Sequence, residues 1–150
     1  MTKSVCRITA SFVFTVAIAI GVVTTANAVP AWEIDRVVYD PAGTDTGSNT
    51  HLNQEVVVIL NNRSTTADLK GYTVRDAQGH VYTFTSSTKV LPGQHLLLHT
   101  GSGTNSTYHR YWGRSWYVWN NTGDTATLRN PAGTRVDSCT WPDGSGTTNC

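Results

Sequence analysis

The sequence predicts an all-β protein, an immunoglobulin-like β-sandwich of about seven to nine strands. Three observations carry that reading. Short β-prone runs recur between Gly, Pro, Asn and Asp, and past the amino-terminal segment no stretch sustains a helical period. The 150 residues include 13 glycines and only 14% charged side chains, which suits one small β-rich domain better than two domains or a disordered chain.

Residues 1–28 stand apart as an expected secretory signal. Lys3 and Arg7 precede an apolar run from Phe12 to Val23, and Ala26-Asn27-Ala28 supplies a small-residue cleavage site. The run falls short of the roughly 18–20 residues of a spanning helix, which favours cleavage over an uncleaved anchor. The expected product is a secreted domain, residues 29–150, with its core over 33–141 and no membrane span.

The first strand is expected over Glu33-Ile34-Asp35-Arg36-Val37-Val38-Tyr39, followed by a polar loop from Asp40 to Asn53. Glu55-Val56-Val57-Val58-Ile59-Leu60 is nearly continuous in apolar residues, the signature of a central strand covered on both faces. It stops at the turn signal Asn61-Asn62-Arg63-Ser64. Residues 69–76 and 80–84 flank Ala77-Gln78-Gly79, whose glycine can take positive φ, and form a hairpin. Leu91-Pro92-Gly93 turns the chain into Gln94-His95-Leu96-Leu97-Leu98-His99-Thr100, where Leu96 and Leu98 share the inward face and His95, Leu97 and His99 the other. Residues 101–107 read as a flexible crossing loop. Tyr117-Val118-Trp119, Thr125-Ala126-Thr127-Leu128 and Arg135-Val136-Asp137-Ser138-Cys139 complete the strands, the last two joined by the turn Asn130-Pro131-Ala132-Gly133.

Cys6 lies in the charged n-region and leaves with the signal. Cys139 and Cys150 remain, and in an oxidising compartment an even count favours a disulfide over two free thiols. The bridge ties a Gly/Ser/Thr tail to the last strand, with a stabilisation of ~2–3 kcal/mol for so short a loop. Without Lys3 and Arg7, nine of the eleven Lys and Arg remain against ten Asp and Glu, a formal charge near −1. A strong electrostatic pull on nucleic acid is therefore not expected.

The most specific stretch runs from Tyr111 to Leu128, an aromatic run followed by Asn120-Asn121-Thr122-Gly123-Asp124 and a β-prone run. Together with Asn53-Gln54-Glu55-Val56-Val57-Val58-Ile59, Leu69-Lys70-Gly71-Tyr72-Thr73-Val74-Arg75-Asp76, Leu91-Pro92-Gly93-Gln94 and Gly101-Ser102-Gly103-Thr104, in that order and spacing, it resembles the lamin tail domain. The likeness covers nearly all of the chain from Ile34 to Trp141 and points to the stand-alone, secreted bacterial form of actinobacterial type. The resemblance implies an immunoglobulin-like sandwich with no intrinsic catalysis and no cofactor, and it implies that Asn53 and Glu55 brace a loop by bonding backbone amides. In animals such a domain follows a coiled-coil rod and engages proteins and DNA; this sequence has no heptads, so the filament role does not carry over. Bacterial relatives are often joined to nucleases or other hydrolases. Here the resemblance implies an adhesive or scaffolding module, monomeric, with a protein or a cell-surface polymer as partner and nucleic acid as the weakest partner class.

The chemistry-bearing residues each compete with a plainer role. His95 and His99 lie on one strand face but about 13 Å apart, too far to share an ion. Asp40, Asp45 and Asn49 offer oxygen ligands of the kind calcium takes, without the order of a calcium loop; turn formation accounts for them as well. No Gly-x-Ser-x-Gly or His-Glu-x-x-His occurs, and no carboxylate pair is marked out, so no catalytic residue is nominated. The best ligand surface is the aromatic cluster, with Trp112, Arg114, Trp116 and Arg110 as contact residues for a sugar, a cell-wall polymer or, less favoured, DNA. Trp119 is expected in the core.

Overall fold

Ile34 and Val37 both point into the core, although a straight strand would send them to opposite faces. In a computed structural model, which describes residues 29–144 and 146–150, the reason is a bulge. Strand β1 (Trp32–Val38) pairs antiparallel with β2 (Val56–Asn61), with Ile34 opposite Ile59 but Arg36 opposite Val58, so Asp35 is the extra residue. Trp32 and Ile34 face inward before the bulge, Val37 and Tyr39 after it. The expected signal segment lies outside the described residues. Among the described residues no helix is long and apolar enough to cross a membrane.

A single helical turn, α1 (Asn49–Leu52), interrupts the polar loop, capped by the Ser48 side chain, which accepts from the His51 amide. Then follow β3 (Ala67–Asp68), β4 (Thr73–Arg75), β5 (Val81–Thr83), β6 (Lys89–Val90), β7 (His95–His99), β8 (His109–Tyr111), β9 (Gly123–Arg129), β10 (Arg135–Pro142) and β11 (Thr147–Asn149). A five-stranded sheet runs β11-β1-β2-β7-β8 and a four-stranded one β10-β9-β4-β5, while β3 and β6 pair by themselves. This is the two-sheet division of an immunoglobulin-like sandwich. The inward faces close on Trp32, Ile34, Val57, Ile59, Leu96 and Leu98 from one sheet and Val74, Ala126, Leu128, Cys139 and Trp141 from the other.

The strand β2 is central, as its apolar run requires. Hairpins β4–β5 and β9–β10 form at the expected turns; Gly79 takes φ +97° in the first, and Gly133 donates to Asn130 O (2.9 Å) in the second. Among the described residues eleven strands form rather than seven to nine, because β3, β6, β8 and β11 are short additions whose two or three residues give no readable alternation. The expected tail is thus partly a strand: β11 pairs antiparallel with β1, and the Cys139–Cys150 disulfide fastens it to β10.

One expected strand does not exist. Residues 117–119 are irregular, although Val118 and Trp119 are 3% and 2% exposed. Their burial is genuine, but no neighbouring strand supplies a ladder, and a single side chain takes its place.

Candidate functional site

That side chain is Glu55, the residue before β2, itself fully buried. Its two carboxylate oxygens accept from consecutive amides, Oε2 from Val118 N (3.1 Å) and Oε1 from Trp119 N (2.8 Å). The carboxylate does what a neighbouring strand would otherwise do, satisfying buried donors that would cost free energy if left unpaired. Burial raises the Glu55 pKa to about 7, against the downward pull of the Thr100 hydroxyl and the two amides. The Thr100 hydroxyl acts by proximity only, since it makes no well-formed hydrogen bond, whereas the two amide bonds are well formed.

The loops joining β1 to β2, β7 to β8 and β8 to β9 gather at the same end of the sandwich, where polar side chains tie them together. Buried His51 meets the Tyr117 hydroxyl through Nδ1 (2.5 Å), while Nε2 faces Ala42 O (3.4 Å). With the proton on Nε2, the imidazole donates to the carbonyl and accepts from the phenol. Tyr117 Oη also accepts from Gly47 N (3.4 Å), so one phenol joins the 40–48 loop to the aromatic loop. Asn49 Nδ2 and Asn53 Nδ2 both donate to Ser102 O (2.9 Å each), and Ser102 N donates to Asn49 Oδ1 (2.7 Å). The crossing loop 101–107 is therefore anchored at Ser102, and Gly101 must stay small: a Cβ there would lie 2.5 Å from Asn53 Oδ1.

Over this frame lies Trp116, 60% exposed. One side of its ring rests on Gly47, where an added Cβ would come within 2.4 Å of Cζ3, and its edge meets Tyr117 at 5.5 Å and 74°. Beside it is a recess of about 300 Å³ lined by Asp45, Trp116, Tyr117, Trp119 and residues 120–122. Trp119 Nε1 is buried without a hydrogen-bond partner.

The aromatic cluster named from the sequence divides into two parts. Trp112 is half-buried, packed edge-on against Tyr82 (5.8 Å) and Trp119 (5.9 Å), in a series of rings that continues through Trp141 to Tyr39. Arg110 turns inward to Thr88 Oγ1 (3.1 Å) and to the carbonyls of Ser106 and His109. Arg114 is exposed and holds its loop by its amide, which donates to Thr100 O (2.9 Å). Of the four named contact residues, only Trp116 lines the recess.

The oxygen-rich residues of the 40–53 loop also separate. Asn49 is committed to Ser102, Asp45 lies at the recess with Oδ1 3.9 Å from His51 Nδ1, and the Asp40 amide donates to Gly146 O (3.2 Å). His95 faces Asp35 (3.4 Å), whereas His99 contacts His109 (2.8 Å) and the Asn53 carbonyl (2.6 Å). Among the described residues no group of three or more His, Cys, Asp or Glu is placed to hold a metal ion.

The expectation of bonds to backbone amides holds for Glu55 but not for Asn53, whose side-chain amide donates to the Ser102 carbonyl while its Oδ1 is buried without a partner. Sequence reasoning missed the His51–Tyr117 link, because a histidine in a polar loop and a tyrosine in an aromatic run carry no signal of each other. Asp45 stood out in the sequence for calcium chemistry; its proximity to Trp116 depends on Gly47, a close approach no pattern announces.

Two sheets packed through an aliphatic and aromatic core, with loops tied together at one end, define an immunoglobulin-like module. The family model of the Lamin Tail Domain matches residues 25–143, and the chain belongs to that family. The family is one of non-enzymatic immunoglobulin-like domains. No curated protein matches the sequence. The disulfide fits an extracellular protein.

Proposed function

We propose that the protein is a secreted, non-enzymatic binding and scaffolding module that engages a protein or polymer at the cell surface through the loop end carrying Trp116. The observation that supports this reading is the contrast between the exposed indole and the frame beneath it. A large aromatic ring stands in solvent on loops fixed by Glu55, His51, Asn49 and Asn53, which is the pre-organisation a binding surface requires. The DNA reading is weakened because the Arg110 guanidinium already serves internal acceptors.

Co-sedimentation of the oxidised protein with purified bacterial cell wall tests the proposal. The expected result is saturable retention that persists as salt is raised and leaves the wall material chemically unchanged. Retention that collapses with salt in favour of added duplex DNA would support nucleic-acid binding instead. A folded protein that is never retained overturns the cell-surface reading, and release of wall fragments overturns the non-enzymatic one.

A further inference from the structure

We infer that the recess beside Trp116 is a subsite for a neutral pyranose, with the exposed indole as stacking platform and Asp45 and Asn121 as hydrogen-bonding partners for ring hydroxyls. The inference rests on the binding-module reading above and gives its ligand a chemical class. A pyranose with equatorial hydroxyls has two unlike aspects, apolar C–H faces and a polar rim. A site for it needs a flat apolar surface beside polar groups aimed at the rim.

Each requirement has a counterpart here. The Trp116 ring is backed on one side by the Gly47 backbone and flanked by Tyr117, which fixes its plane and leaves it 60% exposed. Asp45, with a carboxylate able to accept two hydroxyl protons, lines the same recess. Asn121 lines it too; its backbone carbonyl is occupied by Gly144 N (3.0 Å), and its side-chain amide can both donate and accept. Thr122 adds a hydroxyl.

The charge of the lining narrows the class. Asp45 is the one ionisable carboxylate there and no Lys or Arg lines the recess, so phosphate and uronic-acid groups would meet a like charge with no cation to offset it. A quaternary ammonium would suit the carboxylate, but a cage needs several exposed ring faces. Trp119 is 2% exposed and Trp112 packs inward, so a single open platform is presented instead. The volume, about 300 Å³, is at the small end of ligand sites, which suits one sugar unit of a longer chain.

The test is intrinsic tryptophan fluorescence and calorimetric titration of the oxidised protein with cellohexaose and chitohexaose, with polygalacturonate and choline chloride as competing chemistries. Expected is saturable binding of a neutral oligosaccharide, little changed by salt, and none of polygalacturonate. Trp116→Ala should weaken it by about tenfold or more. Gly47→Ala should weaken it while keeping the indole, because the ring is displaced, and Tyr108→Ala, an exposed aromatic outside the recess, should bind as the unaltered protein does. Binding unaffected by Trp116→Ala, or binding of choline or polygalacturonate in place of the neutral sugars, overturns the subsite. Retention on cell wall without binding of either oligosaccharide overturns the saccharide assignment and leaves the module reading standing; loss of both overturns both.

Discussion

The strand β2 and the segment 117–119 are both apolar, both carry buried side chains, and lie close enough for the residue preceding one to hold the other. Yet β2 joins a sheet and 117–119 does not. In β2 the amides and carbonyls are satisfied by β1 on one side and β7 on the other. In 117–119 two successive amides turn to one carboxylate. Alternation of large apolar residues therefore reports burial and says nothing of where the backbone finds its partners. A ladder distributes that task over many residues, whereas the carboxylate concentrates it in one.

The largest expected effect comes from breaking that concentration. Glu55→Ala leaves two amides buried without acceptors and opens space beneath them, and should destabilise the fold by about 3–5 kcal/mol. Val57→Ala, in the middle of β2 and equally buried, should cost about 2 kcal/mol because its ladder bonds survive. Urea denaturation of both variants measures the difference. If Val57→Ala proves the more damaging, the carboxylate is not the support of the aromatic loop.

Titration sharpens the same comparison. The folded pKa of Glu55, about 7, lies above the ordinary 4.5, so its contribution is fully present below 4.5 and is lost as the pH rises through about 7. The amide bonds favour the charged form, but burial outweighs them. Stability should therefore decline over that window by up to about 3 kcal/mol, and the decline should flatten in Glu55→Gln. No such change should arise from β2, whose segment Val56–Asn61 carries no ionisable group. Unfolding curves recorded across the window for both proteins decide it, and an identical slope in the two would locate the titration elsewhere.

A third contrast sets β11 against the strands it joins. It has three residues at the sheet edge, with pairing to β1 on one side and the disulfide to β10 as its other restraint. Removing the bridge by Cys150→Ser frees a loop with a sequence separation of 11 and should cost about 2–3 kcal/mol. Amide exchange should show the loss first in 147–149, with β2 protected throughout. Uniform loss of protection would make the bridge a support of the whole sandwich.

These contrasts separate what was legible in the sequence from what was not. The strand β2 was legible because five consecutive apolar residues, closed by a turn signal, are too short for a buried helix and fit a strand covered on both faces. Hairpin β9–β10 was legible because Asn130-Pro131-Ala132-Gly133 forces a turn. The bulge at Asp35 was not, since a polar residue after Ile34 reads as ordinary alternation until Val37 is found inside. β8 and β11 were hidden by length, as three residues acquire a strand conformation only from the neighbour they pair with. At the loop end, the residue types were visible and their meeting was not. Trp116 was named as a contact residue together with Trp112, Arg114 and Arg110, but sequence spacing could not tell that Gly47 would carry its ring while Trp112 turned into the core.

The smallest effect on stability should accompany the largest on binding. Trp116 is mostly in solvent and rests on backbone, so Trp116→Ala should shift the unfolding free energy by only about 0.5–1 kcal/mol. Trp119, three residues further along the same loop segment and almost wholly buried among Trp112 and Trp141, should cost about 3–5 kcal/mol when cut to alanine. The two indoles thus divide one aromatic run into a part that holds the loop and a part the loop holds out. Thermal unfolding of the two variants beside their retention on cell wall tests that division: a Trp116→Ala protein that unfolds as easily as Trp119→Ala would make Trp116 a core residue, and its exposed ring would no longer mark a binding surface.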